Sequence, residues 1–207
     1  MAASLCKLRS LQVKWPGFMP WSLDVLSIDS GQLYGLRGPN GVGKTTWLRL
    51  VAGLLPANGT VCWQQAQCQQ IGRLAAFCML LEDYYQASDK VYHIVRQEYA
   101  LRMGCEPSEQ QYHEICKTLA WSLDDQCCWG ALSAGQKKRV LQLPLSYVMA
   151  AVWLLDEPWA YLDSQATADL DKAIGRHLAI GGAVIVVSHQ PISLPHQQLS
   201  LQRGVLC

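Results

Sequence analysis

The sequence predicts an α/β fold in which a largely parallel sheet is covered by helices on both faces and a helical subdomain is inserted partway along the chain. Three observations predict it. Short apolar runs of strand length alternate with stretches of helical periodicity. A glycine-rich turn stands between one such run and the helix that follows it. Residues 88–128 then carry a helical pattern alone, with Val91, Ile94, Val95 and Tyr99, and later Ile115 and Leu119, at helix spacing around a Gly-Cys-Glu-Pro break.

Taken in order, 32–37 reads as a strand, 38–43 as a loop, and 44–55 as a helix stopped by Pro56. Residues 59–63 and the apolar run 74–81 read as further strands. Beyond the helical insertion come a helix over 136–147, the strand 152–155, a helix over 164–178 and the strand 183–187. Pro144 falls inside the first of these helices and should bend or interrupt it, because it lacks an N–H and its ring meets the preceding turn. The expected organisation is one domain over 1–207, with a core formed by 1–87 and 129–207 and a helical subdomain at 88–128.

Composition narrows the function classes. A chain of 207 residues is long enough for one substantial core and too short for two independent catalytic domains. Half of the residues are hydrophobic and only 16% are charged, which leaves surface for a protein partner. The net charge of +1, without clustered Lys or Arg, gives no footprint for nucleic acid. The longest apolar run, 147–155, is far too short to cross a bilayer and the first residues do not form a signal peptide, so a cytoplasmic location with no direct membrane span is expected. Nine cysteines without a C-x-x-C pair read as free, mostly buried thiols rather than a zinc or redox site.

Gly38-Pro39-Asn40-Gly41-Val42-Gly43-Lys44-Thr45 matches G-x-x-x-x-G-K-[ST], followed by Thr46. In such a loop backbone N–H groups wrap phosphate oxygens, glycines permit the tight turn, and the next helix presents its positive end. Lys44 would reach the β and γ phosphates and the Thr45 hydroxyl would bind Mg²⁺. Its place between a strand and a helix is the context that the motif needs.

Four further patterns follow in order. Leu132-Ser133-Ala134-Gly135-Gln136 precedes Lys137-Lys138-Arg139 and offers a hydroxyl and N–H groups at a helix start, a second anion site. Ser133 caps that helix in any case. Val152-Trp153-Leu154-Leu155-Asp156-Glu157-Pro158 is an apolar strand ending in two carboxylates at the edge where parallel sheets bind ligands. Ala160-Tyr161-Leu162-Asp163 comes next, and Ser188-His189 directly follows the strand 183–187.

Together these motifs resemble those of ABC ATPases: the phosphate loop, an LSGGQ signature with Ala134 for one glycine, the Walker B strand, the D-loop and the switch histidine. The resemblance runs from Trp15 to His189 and implies a P-loop NTPase core of ABC-ATPase type, with ATP and Mg²⁺ as cofactors. It implies that Asp156 holds Mg²⁺, that Glu157 is the general base and that His189 orients the water. Trp15, with Phe18 as the fallback, stands where the family stacks an aromatic ring on adenine. Ser133, Ala134, Gly135, Gln136 and Asp163 would meet the nucleotide of a second copy, since the family works as a head-to-tail homodimer. The chain departs from the family where a glutamine is usual: Glu82, a candidate Mg²⁺ ligand, stands in that place, and Gln86 lies four residues on. Tyr84, Tyr85 and Tyr92 would receive a coupling helix from integral transmembrane subunits, placing the ATPase peripherally on the cytoplasmic face of the inner membrane. Within the family, Leu-Ser-Ala-Gly-Gln-Lys-Lys-Arg, Trp-Leu-Leu-Asp-Glu-Pro-Trp and Ser-His-Gln-Pro are similar to the ATPase subunits of cytochrome c maturation, or haem export. ATPases of other small exporters, for lipid, peptide or drug, share every catalytic motif, and a soluble non-transport ABC ATPase is the further alternative. His93, His113, His177 and His196 read as ordinary histidines rather than haem ligands.

Overall fold

The computed structural model describes residues 4–13, 21–52, 54–55, 58–63, 75–78, 85–117, 126–202 and 205–206. The chain begins with strands β1 (Ser4–Val13), β2 (Trp21–Asp29) and β3 (Leu33–Arg37), then helix α1 (Lys44–Val51), β4 (Asn58–Trp63) and β5 (Ala75–Cys78). Helices α2 (Val91–Met103), α3 (Glu109–Lys117) and α4 (Ala134–Gln142) follow. The chain closes with β6 (Val152–Asp156), α5 (Ser164–Ala179), β7 (Ala183–Val187), β8 (Gln197–Gln202) and β9 (Val205–Leu206).

The strands form one mixed sheet in the order β4-β1-β2-β9-β8-β3-β7-β6-β5. From β8 to β5 every pairing is parallel. β4, β1 and β2 pair antiparallel, and β9 joins the halves by running parallel to β2 and antiparallel to β8. The parallel half is covered on both faces, as its continuous apolar strands require. Val152, Leu154, Ile185 and Val187 point towards Trp47, Leu48 and Val51 of α1. The alternate residues Trp153, Leu155, Val184 and Val186 pack against Leu170 and Ile174 of α5. A third cluster joins Tyr85, Ile94, Val95 and Tyr99 to Tyr112, Ile115 and Trp129, and reaches Val140 and Leu143.

The reading by periodicity places no strand before residue 32 or after 187, whereas β1, β2, β8 and β9 are there. In β1 the cause is visible. The register shifts between Ser4 and Cys6 against β2 and between Arg9 and Gln12 against β4, and each shift breaks the two-residue alternation that reveals a strand. Helix α1 ends at Val51, four residues short of the expected 55, with Gly53 next but one in the sequence. Pro144 does interrupt the helix after the signature: α4 stops at Gln142 and Leu143–Ser146 continues as a single 3₁₀ turn with the proline in its first turn.

Two buried polar arrangements tie these layers together. Tyr85, 8% exposed, sits edge-on to Trp129 with ring centroids 5.3 Å apart. Its hydroxyl donates to Glu98 Oε1, while Arg102 donates to Glu98 Oε2 from Nε at 3.1 Å and Nη2 at 3.0 Å. Burial, then the hydrogen bond to Glu98, raises the Tyr85 phenol well above its ordinary range. Tyr85 is therefore an internal strut and not part of a partner-facing surface, which corrects the expectation for it. Tyr92 is partly exposed beneath the Arg96 guanidinium, and Tyr84 lies outside the described residues. Replacing Tyr85 with Phe removes a donor from a buried carboxylate and should lower the unfolding free energy by about 1–3 kcal/mol in urea titration.

The second arrangement is His177, 6% exposed and stacked on Trp153 with centroids 4.1 Å apart and planes within 7°. A side chain on Gly182 would run into the imidazole. Desolvation by burial holds the His177 pKa below its ordinary value. The unfolded chain therefore binds this proton at a higher pH than the folded one, so the stability it carries is present above about pH 6.5 and is lost as pH falls below that towards the depressed folded value. Urea midpoints measured between pH 7.5 and 5 should show an acid-side decline that His177→Phe flattens.

Candidate active site

Parallel pairing brings the motifs to one edge. Leu36 of β3 and Asp156 of β6 both align with Val187 of β7, so the loops leaving these strands, starting at Gly38, Glu157 and Ser188, emerge side by side.

In the first loop Gly41 and Gly43 hold φ of 73° and 100°, and Gly43 closes the N-terminus of α1 from the left-handed region without a side-chain cap. Gly38 is required for a different reason, because a Cβ there would strike the Leu201 carbonyl. Pro39 and Asn40 are exposed and Val42 is partly buried. Lys44 is buried to 8% exposure, and its ammonium donates to the carbonyls of Gly38 and Pro39 at 2.9 and 3.0 Å. The lysine thus rests inside its own loop, where phosphate oxygens are the natural competitors for its donors.

Thr45 Oγ1 donates to Asp156 Oδ2 at 2.6 Å, joining the start of α1 to the end of β6. A hydroxyl and a carboxylate in contact are hard oxygen donors of the kind that suits Mg²⁺. Thr46 is partly buried one residue further along α1.

Glu157 leaves β6 with φ 46°, in the left-handed region that a residue with a side chain seldom adopts. Its N–H donates to Val187 O at 2.8 Å and its carbonyl accepts from Ala160 N at 3.1 Å. The carboxylate accepts from the His189 N–H, at 2.9 Å to Oε1 and 3.1 Å to Oε2, and His189 Nε2 lies 3.6 Å from Oε1. The two residues expected to handle water are therefore together, and the solvent-exposed imidazole lies beside the carboxylate.

Ser133 and Gln136 form a reciprocal capping box at the start of α4: the serine hydroxyl accepts from Gln136 N at 3.2 Å, and Gln136 Oε1 accepts from Ser133 N at 2.9 Å. Ala134 is exposed, while Gly135 is pressed so close to the Tyr161 carbonyl that a Cβ would lie 2.5 Å from it. Asp163 caps α5 through Ala166 N at 2.7 Å and accepts from Arg139 Nη2 at 2.6 Å. The Ala166 hydrogen bond, with Arg139 in support, lowers the Asp163 pKa. No hydrogen bond among the described residues joins 133–136 to 38–46 of the same chain. Trp15, Phe18 and Glu82 lie outside the described residues; Gln86 is exposed, its N–H bound to Asp89 Oδ2 at 2.8 Å.

Sequence reasoning passed over three side chains on α4 that grip the segment 156–163. Lys138 Nζ donates to the Asp156 carbonyl at 3.1 Å, Arg139 holds Asp163, and Gln142 Nε2 donates to the Pro158 carbonyl at 2.6 Å. The basic run 137–139 was the available signal for the first two. Gln142 carried none.

A glycine-rich phosphate loop, a carboxylate pair beside it and a capped signature helix define the ATP-binding domain of an ABC transporter, and the ABC transporter family model matches residues 24–160. The chain belongs to this family, as an ATP-binding, ATP-hydrolysing subunit. It is 31% identical over 186 residues to the cytochrome c biogenesis ATP-binding export protein CcmA of Haemophilus ducreyi, covering 80% of each chain. It is 32% identical over 174 residues to the CcmA protein of Legionella pneumophila, covering 81% of this chain and 84% of that one. Among solved structures, a dimeric ATP-binding cassette in a post-hydrolysis state with ADP and Pi superposes with a TM-score of 0.78 at 19% identity, over 97% of this chain and 96% of that one. A putative ABC transporter ATP-binding protein from Pyrococcus furiosus gives 0.73 at 22% identity, over 95% and 96%. These two share the fold. Among the described residues no helix is long and apolar enough to cross a membrane.

The contact between Gly135 and Tyr161 generates its own test. Gly135→Ala must displace the Tyr161 carbonyl, whose residue already sits at φ 65°, and should destabilise the protein by about 1–3 kcal/mol, read as a lowered urea midpoint. Ala134→Gly, at the exposed neighbour, should cost less than about 1 kcal/mol.

Proposed function

We propose that this chain is the ATPase of a haem-export system serving cytochrome c maturation, working as a head-to-tail pair beneath integral transmembrane subunits on the cytoplasmic face of the membrane. The ATPase part of this reading is carried by one observation: the phosphate-loop Thr45 and the strand-end Asp156 are in contact at 2.6 Å, with Glu157 and His189 paired alongside. The cytochrome c part is carried by the two relatives above, whose names state that role, together with the shared signature, Walker B and switch motifs.

Each residue has a distinct task. Gly38, Pro39, Asn40, Gly41, Val42, Gly43 and Thr46 form the cradle for the phosphates, and Lys44 exchanges its loop carbonyls for phosphate oxygens. Thr45 and Asp156 would hold Mg²⁺, which neutralises phosphate charge when bound. Trp15 stacks on adenine, and Glu82 supports the metal or its water. Ser133, Ala134, Gly135 and Gln136 of the second copy close on the γ-phosphate, with Asp163 at the seam between copies. Among the described residues no hydrogen bond joins 133–136 to 38–46 within one chain, which favours their meeting across a pair. Glu157 accepts a proton from the attacking water as its oxygen bonds to the γ-phosphorus and the bond to the ADP oxygen breaks. His189 keeps the carboxylate and water in line. Closure on ATP and reopening after hydrolysis follow from the different affinities of the two states for nucleotide. Residues 88–128 serve as the helical subdomain that meets the membrane subunits.

Glu157→Gln should bind ATP without turnover and elute as a dimer when ATP is present, while Lys44→Ala should weaken nucleotide binding. Turnover at the wild-type rate by either variant contradicts the assignments. Purification of the tagged chain from detergent-solubilised membranes should bring down integral proteins of the cytochrome c maturation machinery. Recovery of a different exporter's membrane subunits would move the substrate to another class and leave the ATPase assignment in place.

A further inference from the structure

The carbonyls on either side of Glu157 are each held by a side chain from the signature helix. Lys138 Nζ donates to Asp156 O at 3.1 Å and Gln142 Nε2 donates to Pro158 O at 2.6 Å. The two donors are four residues apart on α4 and so project from the same face of the helix. Between the gripped carbonyls Glu157 sits at φ 46°, a conformation that persists only when its surroundings over-determine it. Its own N–H and carbonyl are held as well, by Val187 O and Ala160 N, but those bonds lie within the sheet edge and the local turn. Lys138 and Gln142 bring the signature helix into direct hydrogen bonding with the main chain around Glu157.

We propose that Lys138 and Gln142 are a pair of positioning residues that clamp the backbone on both sides of Glu157 and set the direction of its carboxylate towards the attacking water. The inference rests on the assignment of Glu157 as general base. In the proposed pair, the N-terminal end of α4 brings Ser133 and Gly135 to the nucleotide of the other copy, while the same helix holds the backbone beside Glu157 of its own copy through residues 138 and 142. Gln142 is the last residue of α4, just before Pro144 changes the chain to a 3₁₀ turn. The amide carries no charge and has the length to meet a main-chain carbonyl, so its donor is suited to holding geometry rather than to chemistry.

The test uses the full-length protein, steady-state ATP turnover and nucleotide affinity. Gln142→Met keeps side-chain length and removes the donor, Lys138→Met removes the donor with a chain one atom shorter, and Lys138→Arg restores a donor. Each Met variant should lower kcat about three- to tenfold, the effect of a lost or weakened hydrogen bond acting at the transition state, with KM for ATP within twofold. Lys138→Arg should return kcat to within twofold of wild type. A merely structural role would lower the thermal midpoint and affect kcat and KM together, without rescue by arginine. The proposal is overturned if both Met variants retain wild-type kcat, if KM rises in step with the fall in kcat, or if Lys138→Arg behaves like Lys138→Met. Failure of the underlying assignment looks different: Glu157→Gln would then hydrolyse ATP normally, whatever the α4 variants do.

Discussion

The active edge depends on parallel pairing in register among β3, β7 and β6. Alignment of Leu36 and Asp156 with the same residue, Val187, places three strand ends level, and everything chemical hangs from those ends. The alignment is itself a result of burial. β6 and β7 are buried along their whole length, with one set of alternate residues committed to α1 and the other to α5. A slip of one residue would exchange the two sets, setting Trp153 against a face packed for Leu154. The hydrophobic cores on the two faces therefore act as a ruler for the site, and the 2.6 Å contact from Thr45 to Asp156 is one of the distances they set.

At the strand ends the architecture changes from burial to hydrogen bonding. Glu157 departs from β6 in a left-handed conformation, and Tyr161, four residues on, does so again. Non-glycine residues enter this region at a cost of order 1–3 kcal/mol and need external support. That support comes from several elements at once: β7 through Val187, the loop after it through His189, α4 through Lys138 and Gln142, and the turn through Ala160. Strain at Glu157 and convergence of hydrogen bonds upon it are two sides of one arrangement, since a carboxylate proposed to face a water needs its backbone fixed and not merely permitted.

Much of this was legible in the sequence. Phosphate binding needs backbone N–H groups in a tight turn, so glycines at 38, 41 and 43 and Lys44 appear at fixed spacing, and the paired carboxylates at 156 and 157 stand out after an apolar strand. The contacts that position these groups were not legible, because they join ordinary residues far apart in the chain. Gln142 has no distinguishing neighbour, and the burial of Tyr85 follows from Trp129 and Glu98, which nothing in its local pattern announces. The two aromatic residues at 84 and 85 suggested a surface, yet one of them is spent inside. The bulged register of β1 hid a ten-residue strand by a related route, since the disruption of alternation is a property of its pairing with two neighbours.

The signature's departure from the family pattern can be understood by the same physics. Two glycines are usual and this chain keeps the second. Ala134 is the first residue of α4, just after the Ser133 cap, where the backbone is helical and the side chain is exposed, so alanine costs nothing and favours the helix. Gly135 faces the Tyr161 carbonyl at a distance that no Cβ can share, and Tyr161 is held in place by its own strained turn. The two positions look equivalent in a motif and differ in what lies opposite them. Either residue can present backbone groups to an anion, but Gly135 has a second backbone packed against it, and that contact decides where substitution is permitted. Pro144 obeys the same logic at the other end of the helix. It falls where α4 has already made its last contact with the catalytic turn through Gln142, so interrupting the helix there leaves the grip on the Pro158 carbonyl intact.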